Sequence, residues 1–462
     1  MRRPRQRARS AGGGGMMQFT LSAMAAFVQG RVAGEDAEIR GMSHDARCIE
    51  TGNLFCALPG EHHDGHDFIG QARENGAAAA LVARPVDDAL PQLVVEDVRT
   101  AMGIVARAWR ERLDVTVIGI TGSNGKTTVK EMVAAILASQ GPTLATQGNY
   151  NNELGVPLTL ARLDTSHRFA VIEMGANGPD DIGYLAGLAK PSIGVVTNAA
   201  AAHLEGFGSL EGVARAKGQM FSALPAEGAA VINADDEHAP LWRELAGDRR
   251  IISFGIDGAA NVSGVLARGI GRVHTPADDF EFQPPLPGRH NFYNALTATA
   301  VATALDVPVA RIADALSNME SLPGRLQFRR HPDGWQLVDD TYNANPASLY
   351  AALQALSEMG GEEHWLVLGD MGELGPDSER LHAEMGQTAR DLGVRRLFTV
   401  GKLARASSDA FGGDARHFDN KTSLVEALSS QLHAGVTCLV KGSRSMGMER
   451  VVEGLLREAS PC

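Results

Sequence analysis

The sequence has few of the features that mark secreted, membrane or nucleic-acid-binding proteins. Its four cysteines, Cys48, Cys56, Cys438 and Cys462, form no C-x-x-C pair, which argues against a zinc ribbon or a dithiol redox motif. No uninterrupted apolar stretch approaches the roughly 20 residues that a membrane-spanning helix needs. The formal net charge is −12, which argues against nucleic acid as a main partner. Scattered thiols without a signal peptide predict a cytoplasmic location.

The first stretch of the chain, MRRPRQRARSAGGGG, is basic and then rich in glycine. It contains no apolar h-region, so it does not form a secretory signal. We expect residues 1–15 to be a disordered tail, or to precede a true start at Met16 or Met17.

Length and composition are those of a globular protein with several domains. The chain has 462 residues, of which 44% are hydrophobic and 21% charged, and roughly two to four domains follow from this length. From about 99 to 320, apolar strands alternate with helical stretches, which indicates a parallel sheet. The alternation restarts after SLPGRLQF, where proline and glycine indicate a linker. We predict an α/β protein with domains at 16–98, 99–320 and 321–462, without internal repeats or coiled coils.

The stretch VTVIGITGSNGKTTVKEM combines a buried strand, a glycine-rich turn and a helical pattern. This order aims backbone N–H groups and a helix N-terminus at an anion, as in phosphate-binding loops, and predicts ATP or GTP binding. Lys126 would then reach the β- and γ-phosphates, and the Thr127 hydroxyl would bind Mg²⁺. The strict pattern requires glycine at position 120, where this chain has Ile120. The predicted loop residues are Gly122, Ser123, Asn124, Gly125, Lys126, Thr127 and Thr128.

Three further side chains lie near the predicted carboxyl edge of the central sheet. Glu173 ends the strand FAVIE, where it could reach a Mg²⁺ ion or simply be solvated. His203 follows the strand IGVVT in a loop of small residues. Lys217 falls on a helix that begins near Ser209, and most helix lysines are solvated. The functional alternative for Lys217 is a carbamate, formed with CO₂, that would serve as an anionic metal ligand.

A cluster of polar and basic residues follows the strand TCLV near the carboxyl end of the chain. Lys441, Ser443 and Arg444 meet a predicted helix N-terminus. A cation, a hydroxyl and backbone N–H groups together suit a carboxylate or a phosphate, although a basic surface turn has the same composition. Upstream, NANPAS predicts a helix start with Asn345 as the cap and Pro346 in the first turn.

Taken in order, nine motifs resemble those of the Mur ligase family. They are TGSNGKTT, NYNNELGVPLTL, AAAAHLEGFGS, AKGQMF, LPGRHNFYNALTA, LPGRL, DDTYNANP, GDMGELG and VKGSRS. The resemblance runs from about Met17 to about Leu456 and is greatest to the members that use D-Ala-D-Ala. Several of the motifs are weak singly, but the ordered set is specific. The uncommon phosphate-binding loop with Ile120 is also the form that this family has.

This resemblance implies an enzyme that joins D-Ala-D-Ala to a UDP-MurNAc-tripeptide with ATP, through an acyl phosphate. It implies a small N-terminal α/β domain for the uridine nucleotide, a central P-loop ATPase domain, and a Rossmann-like C-terminal domain for D-Ala-D-Ala. Two Mg²⁺ ions are expected, and nothing in the pattern demands more than a monomer. The third peptide residue, diaminopimelate or lysine, and the general base are left open.

The same resemblance implies roles for individual residues. Lys126, His203 and Lys217 would be catalytic, with Lys217 as the carbamylated lysine. The implied metal ligands are Thr127, Glu173, His203 and Lys217. The implied ATP contacts beyond the loop are Asn291, Asn294, Arg325 and Asp340. The implied substrate contacts are Ser43, Asp45, Arg47 and Asn53 for the uridine nucleotide, Asn149, Asn151 and Asn152 for the muramoyl peptide, and Tyr342, Asn343, Asn345, Lys441, Ser443 and Arg444 for D-Ala-D-Ala.

One departure and three rival functions accompany this hypothesis. The family more often has Ser or Thr where this chain has Ala46, so a side-chain contact to the nucleotide is not expected there. The rivals are the ligase that adds the third peptide residue, a folylpolyglutamate synthase, and a regulator that hydrolyses ATP without a product. The motifs NNELGVPLTL and GDMGELG favour the D-Ala-D-Ala enzyme over the first two, and no DNPR-type motif occurs in the last domain. A regulator has no need of a second substrate pocket.

Overall fold

A computed structural model describes residues 16–60, 63–200 and 204–457. The expected tail at 1–15 and the predicted site residue His203 lie outside these residues. Within the described ranges, no helix is both long and apolar enough to span a membrane. The chain divides into two compact units. The first comprises the described residues up to Ile118, Gly141–Glu173 and Leu185–Lys190, and the second comprises Gly119–Gln140, Met174–Tyr184 and the described residues from Pro191 onward.

The first unit begins with short strands and helices. Its elements are β1 (Phe19–Thr20), α1 (Leu21–Val28), β2 (Arg31–Ala33), β3 (Glu38–Ile39), β4 (Met42–Ser43), β5 (Leu54–Cys56), α2 (Ile69–Glu74), β6 (Ala79–Val82), β7 (Gln92–Val94) and α3 (Val98–Arg110). Strands β2-β7-β6-β5-β4 form a sheet in that order, parallel except for β2 against β7. The strand in GNLFCALPG ends before Pro59, and helix α2 ends before Gly76.

The P-loop region begins with β8 (Thr116–Thr121), which belongs partly to each unit. It continues with α4 (Lys126–Ala138), β9 (Thr143–Ala145), α5 (Gly155–Ala161), β10 (Phe169–Glu173) and α6 (Asp181–Ala189). Strands β9 and β10 pair in parallel within the first unit. Every residue of β10 is buried, which explains its continuous apolar sequence up to Glu173.

The second unit continues the alternation of strand and helix. Its next elements are β11 (Ile193–Val196), α7 (Leu204–Phe207), α8 (Leu210–Ser222), β12 (Ala229–Asn233), α9 (Ala239–Ala246), β13 (Arg250–Gly255), β14 (Val262–Ala267), β15 (Ile270–His274), β16 (Asp279–Phe282), α10 (Arg289–Ala304) and α11 (Val309–Ser317). Strands β11 to β14 pair in parallel, whereas β14, β15 and β16 pair antiparallel. This antiparallel extension adds an edge that the alternation of strand and helix did not predict.

The remaining elements build a six-stranded sheet, named here the C-terminal sheet. They are β17 (Gln327–Arg330), β18 (Gln336–Asp340), α12 (Pro346–Glu358), β19 (Glu363–Gly369), α13 (Ser378–Asp391), β20 (Val394–Val400), α14 (Ala404–Phe411), β21 (Ala415–Phe418), α15 (Lys421–Ser429), β22 (Val436–Lys441) and α16 (Glu449–Arg457). The strand order is β17-β18-β22-β19-β20-β21, parallel except for β17. The expected linker SLPGRLQF is therefore shorter than predicted, because Gln327 and Phe328 already belong to β17.

Helices cover both faces of the C-terminal sheet. Successive side chains of a strand point to opposite faces, so Leu366 packs in one apolar cluster and Trp365 in the other. Leu353 of α12 joins the first cluster, and Val451 of α16 joins the second. Each fully buried large apolar side chain stabilises the fold by about 1.5–3 kcal/mol. Burial on both faces leaves the strand ends and their loops as the place for polar chemistry.

Candidate functional site

The loop after β8 has the shape of an anion cradle. Gly122 and Gly125 both have positive φ, at 147° and 82°. A Cβ atom on Gly122 would collide with Thr197 Oγ1, and one on Gly125 would collide with Asn294 Oδ1. Gly125 precedes helix α4, whose start has no side-chain cap. The first N–H groups of α4 are therefore free of a cap and can donate hydrogen bonds to a phosphate.

Two residues that the sequence did not single out hold this loop in place. Asn198 accepts hydrogen bonds from Ser123 N through its backbone oxygen and from Asn124 N through Oδ1, both at 3.0 Å. The Thr197 hydroxyl donates to the Asn124 carbonyl oxygen at 2.6 Å. Both residues follow β11 directly, so a polar pair at the end of a buried parallel strand was the signal that could have found them.

Lys126 turns back onto its own loop. Its Nζ donates to the carbonyl oxygens of Gly122 at 2.8 Å and Ser123 at 3.4 Å. These bonds hold the ammonium against the turn that precedes α4. Its side chain is partly buried, where a positive charge acts on an anion through less water.

Lys217 lies on α8, which begins after the Ser209 cap as the sequence predicted. Its side chain is only 3% exposed, although most helix lysines are solvated. Burial, and secondarily the charge of Lys126, lower its pKa from 10.5 to about 7. The ring of Phe207 lies 5.8 Å from Nζ, and no described carboxylate forms an ion pair with this ammonium. A large fraction of the amine is therefore neutral near pH 7.

Helix α10 presents the two predicted adenine-side asparagines next to the loop. Asn294 Nδ2 donates to Asn291 Oδ1 at 3.1 Å, and Asn291 Nδ2 donates to the Pro287 carbonyl oxygen at 2.8 Å. Between Pro287 and Asn291, the half-buried His290 has a pKa lowered to about 4 by desolvation, against the charge of Asp340. His290 is therefore neutral at physiological pH. His290 lies in the motif LPGRHNFYNALTA, and the resemblance implied no role for it.

A set of hydrogen bonds to the Asp235 carboxylate, named here the Asp235 clasp, supports the start of α10. Asp235 accepts hydrogen bonds from the Tyr293 hydroxyl at 2.7 Å and from the backbone N–H groups of Ile256 and Gly258 at 2.6 and 2.7 Å. Burial, and secondarily the hydrogen bond to Asp235, raise the pKa of Tyr293. The clasp ties the loop after β13 to the helix that carries Asn291. This clasp was not predicted, because its residues lie far apart along the chain.

Asp340 and Lys441 form a buried ion pair at the ends of two adjacent strands. The parallel register places Asp340 opposite Lys441, and the Lys441 ammonium contacts Asp340 Oδ2. It also donates to the Asn343 carbonyl oxygen at 3.0 Å, and Leu326 N donates to Asp340 Oδ1 at 3.2 Å. The structure thus brings a predicted ATP contact together with a predicted D-Ala-D-Ala contact. The positive charge of Lys441 is already compensated by a carboxylate.

Tyr342 gathers the two predicted arginines of the C-terminal sheet. The guanidinium carbon of Arg325 lies 4.2 Å from the centre of the Tyr342 ring, and that of Arg444 lies 5.9 Å away. Ser443 Oγ lies 3.2 Å from Ser445 Oγ, and Asn343 Oδ1 accepts from Ala344 N at 2.9 Å. Of the predicted anion cluster, Arg444 is exposed, whereas Lys441 and Ser443 are buried. An anion approaching from solvent would meet the arginines first.

In the first unit, Glu173 has the features of a cation ligand. Its side chain is 1% exposed, Oε1 accepts from Asn151 Nδ2 at 2.8 Å, and the buried Oε2 has no hydrogen-bond partner. A buried carboxylate oxygen without a donor fits Mg²⁺, which takes one or two carboxylates and completes its shell with water and phosphate. Among the described residues, no group of three His, Cys, Asp or Glu side chains could hold a metal alone. Thr127 and Lys217 lie in the second unit, so the complete metal set stays a prediction.

The other predicted peptide contacts and the uridine contacts also lie in the first unit. Asn149 is exposed, and Asn152 Oδ1 accepts from Gly155 N at 2.9 Å at the start of α5. Asn53 is buried and accepts from Glu50 N at 3.1 Å, which is a role in local structure. None of these bonds requires a ligand, so the substrate contacts stay predictions.

The predicted uridine segment is a compact turn with an exposed arginine. Ser43 Oγ donates to the Asp45 carbonyl oxygen at 3.0 Å, and Asp45 Oδ2 accepts from Arg47 at 2.7 Å. The Arg47 hydrogen bonds lower the pKa of Asp45 to about 2. Ala46 is buried in the apolar core of this unit, so its side chain offers no contact to a nucleotide.

Sequence profiles of one family match most of the chain. The profile described as "Mur ligase family, catalytic domain" matches residues 38–115, "Mur ligase middle domain" matches 120–302, and "Mur ligase, glutamate ligase domain" matches 324–444. The UDP-N-acetylmuramoyl-tripeptide–D-alanyl-D-alanine ligase of Escherichia coli is 43% identical over 95% of this chain and 99% of its own length. The chain belongs to the Mur ligase family.

Two solved structures with the name MurF are similar to this chain over nearly its whole length. MurF from Acinetobacter baumannii has a TM-score of 0.88 and 34% identity, covering 96% of this chain and 99% of its own. MurF from Thermotoga maritima in complex with ADP has a TM-score of 0.81 and 27% identity, covering 91% and 97%. The predicted fold class, an α/β protein with three domains, a parallel-sheet central domain and a C-terminal sheet domain, is confirmed. The domain boundaries stay a prediction.

Proposed function

We propose that this chain is an ATP-dependent ligase that joins D-Ala-D-Ala to UDP-MurNAc-tripeptide in peptidoglycan precursor synthesis. The products are UDP-MurNAc-pentapeptide, ADP and phosphate. The observation that carries the proposal is the 43% identity to the E. coli ligase over 95% of this chain, which includes the C-terminal sheet. A protein that only hydrolysed ATP would not need that sheet.

The chemistry begins with activation of a carboxylate. The tripeptide carboxylate oxygen attacks the γ-phosphorus of ATP, the bond to the β-phosphate oxygen breaks, and an acyl phosphate and ADP form. The neutral amine of D-Ala-D-Ala then attacks the acyl carbon. The C–O bond to phosphate breaks, the amide forms, and the amine loses a proton. Activation is necessary because oxide would otherwise be the leaving group.

Cations and helix N–H groups offset the repulsion between carboxylate and ATP. Lys126 and the uncapped start of α4 would hold the phosphates. Thr127 and Glu173 would hold Mg²⁺, and the buried Glu173 oxygen without a donor supports that assignment. When bound, Mg²⁺ would neutralise developing charge on the transferred phosphoryl group. Asn291 and Asn294 would face the adenine side, where α10 approaches the loop.

Lys217 is proposed as the carbamylated residue. Its neutral amine would attack the carbon of CO₂, an N–C bond would form, and one proton would leave to water. Burial, the shortage of described partners and a pKa near 7 support this chemistry. The product would be an anion next to Lys126, and thus a metal ligand in place of a second ammonium.

The C-terminal sheet and the first unit would supply the remaining contacts. Arg325 and Arg444, on either side of Tyr342, are proposed to meet the anionic groups of ATP and of D-Ala-D-Ala. Ser43, Asp45 and Arg47 are proposed to meet the uridine nucleotide. The reaction is proposed to occur in the cytoplasm, with ATP as the source of the phosphoryl group. A single chain is the proposed working unit, because nothing in the sequence pattern demands more than a monomer.

The test is phosphate release from ATP and Mg²⁺, with UDP-MurNAc-tripeptide and D-Ala-D-Ala supplied separately and together. Release that needs both substrates, with a product heavier by the joined dipeptide, is the expected result. Release that needs neither substrate would identify an ATPase or a regulator. Release with a free amino acid in place of D-Ala-D-Ala would identify one of the other amide ligases.

A further inference from the structure

Asn345 has two separate tasks in the structure. Its Oδ1 accepts a hydrogen bond from Ser348 N at 2.8 Å, while its backbone N–H bonds the Ser348 hydroxyl at 3.0 Å, and together these form a capping box on helix α12. Its Nδ2 donates to Asn124 Oδ1 at 2.9 Å, across 221 positions of sequence. Because the cap fixes Oδ1, the amide nitrogen is the atom that remains for Asn124.

Asn124 is already held on its backbone side. Its N–H donates to Asn198, and its carbonyl oxygen accepts from Thr197. Its side chain is therefore the part that can carry a further connection from the phosphate-binding loop. The partner of that side chain is Asn345, the N-cap of α12. Helix α12 packs on the C-terminal sheet. One bond thus joins the loop of Lys126 to the sheet that carries Arg444.

A second contact brings α12 against the nucleotide side of the same unit. Gly288 immediately precedes α10, and a Cβ atom there would lie 3.1 Å from Ala355 Cβ of α12. That spacing is tighter than ordinary van der Waals contact. Helix α12 therefore packs against the start of α10, the helix that contains Asn291 and Asn294. The bond from Asn345 to Asn124 is partly buried, and α12 makes this second contact with α10.

We propose that Asn345 is a positioning residue that fastens the phosphate-binding loop, through Asn124, to the C-terminal sheet. Binding of ATP at the loop and placement of the C-terminal arginines are coupled through this bond. The inference rests on the proposed binding of ATP by that loop. The direct contact of Asn345 to D-Ala-D-Ala stays a prediction beside it, because the amide keeps a second N–H and a second oxygen lone pair.

The experiment is a double-mutant cycle on nucleotide affinity in the full chain. Asn345→Ser keeps a good helix cap but is too short to reach Asn124. Asn124→Ala removes the acceptor, and the third variant carries both changes. Asn420→Ser is the matched control, because Asn420 caps α15 in the same sheet by accepting from Ser423 N at 2.9 Å. The measurements are the Kd of a non-hydrolysable ATP analogue with Mg²⁺, by calorimetry, and Tm.

Each single variant is expected to weaken analogue binding by about threefold to tenfold, the worth of one neutral hydrogen bond. The double variant should be no weaker than either single one. Asn420→Ser should bind the analogue as the unmodified chain does, and its Tm should change only by the effect of the replaced helix cap. A cap with a structural role alone would move Tm without moving the Kd.

Two results would overturn the inference. Effects of Asn345→Ser and Asn124→Ala that simply multiply in the double variant would show that the two side chains act independently. Unchanged analogue affinity in Asn345→Ser would show that the bond does not act on the nucleotide. Failure of the unmodified chain to bind the analogue would instead overturn the proposed function itself, and the inference with it.

Discussion

The Lys217 side chain is almost fully buried, and its lowered pKa predicts that the stability of the protein depends on pH. Because the pKa falls from 10.5 to about 7 on folding, the unfolded chain binds more protons between these two values. The free energy of unfolding is therefore expected to rise as pH increases from about 7 to about 10.5. The cost of burying the charged Lys217 ammonium is largest below pH 7. In Lys217→Met this slope should vanish, and the free energy of unfolding at pH 7 should increase by about 1–4 kcal/mol. Urea unfolding across this pH range measures both effects.

The carbamate makes a separate prediction at the same residue. In ¹³CO₂-equilibrated buffer, the unmodified chain should show a carbamate carbon signal by NMR that is missing from Lys217→Met. Lys217→Ala is expected to abolish ligation while the ATP analogue still binds. Lys190→Met, which changes another lysine, serves as the control that should retain the signal. Ligation at a normal rate in Lys217→Ala would refute the carbamate.

One substitution can distinguish a structural role of Lys441 from a role in binding D-Ala-D-Ala. Its ammonium is buried against Asp340, so Lys441→Met leaves a buried carboxylate without its partner. The expected loss is about 3–5 kcal/mol of unfolding free energy, and Asp340→Asn in the same chain should recover part of it. Urea denaturation of the two variants checks this. A stable Lys441→Met with only a raised KM for D-Ala-D-Ala would return Lys441 to the substrate site.

At the scale of elements, the approach of α10 to the start of α4 depends on the missing side chain of Gly125. Gly125→Ala would collide with Asn294 and occupy a strained φ of 82°. We expect the affinity for the ATP analogue to fall more than tenfold, measured by calorimetry. The control is Gly148→Ala, where φ is also positive, at 52°, and a Cβ meets nothing within 4 Å. Equal losses of affinity in both variants would show that backbone strain, and not Asn294, sets the effect.

Elements were predictable where local chemistry decides them, and less so where pairing partners are distant. The cap of α12 followed from Asn345 before Pro346, and the buried strands β10 and β22 followed from their apolar runs. The antiparallel strands β14 to β16 were missed, because their half-exposed sequence carries neither a long apolar run nor a helix between strands. The pairing of Asp340 with Lys441 depends on the register of β18 and β22, which no local pattern specifies. The support from Thr197 and Asn198 could have been found from the sequence, because both residues directly follow the buried strand β11.

At the scale of the whole molecule, the two compact units contain different predicted ligand sites. The uridine contacts Ser43 and Arg47 lie in the first unit, and the ATP contacts Lys126 and Asn294 lie in the second. A ligand that binds only folded protein stabilises by about 2.7 kcal/mol at a hundredfold excess over its Kd. UDP alone is therefore expected to stabilise the first unit, and the ATP analogue alone the second. Calorimetric unfolding with each ligand measures this.

The pattern of transitions then reports how far the units unfold together. Where two transitions are resolved, UDP should raise one and the ATP analogue the other, and Lys126→Ala should abolish only the second shift. A single transition that both ligands raise would show that the units unfold cooperatively, because ligand linkage then acts on the whole chain. A shift of the same resolved transition by both ligands would contradict the assignment of the uridine contacts to the first unit. The Lys126→Ala variant separates these cases, because it removes a phosphate contact in the second unit and leaves Ser43 and Arg47 unchanged.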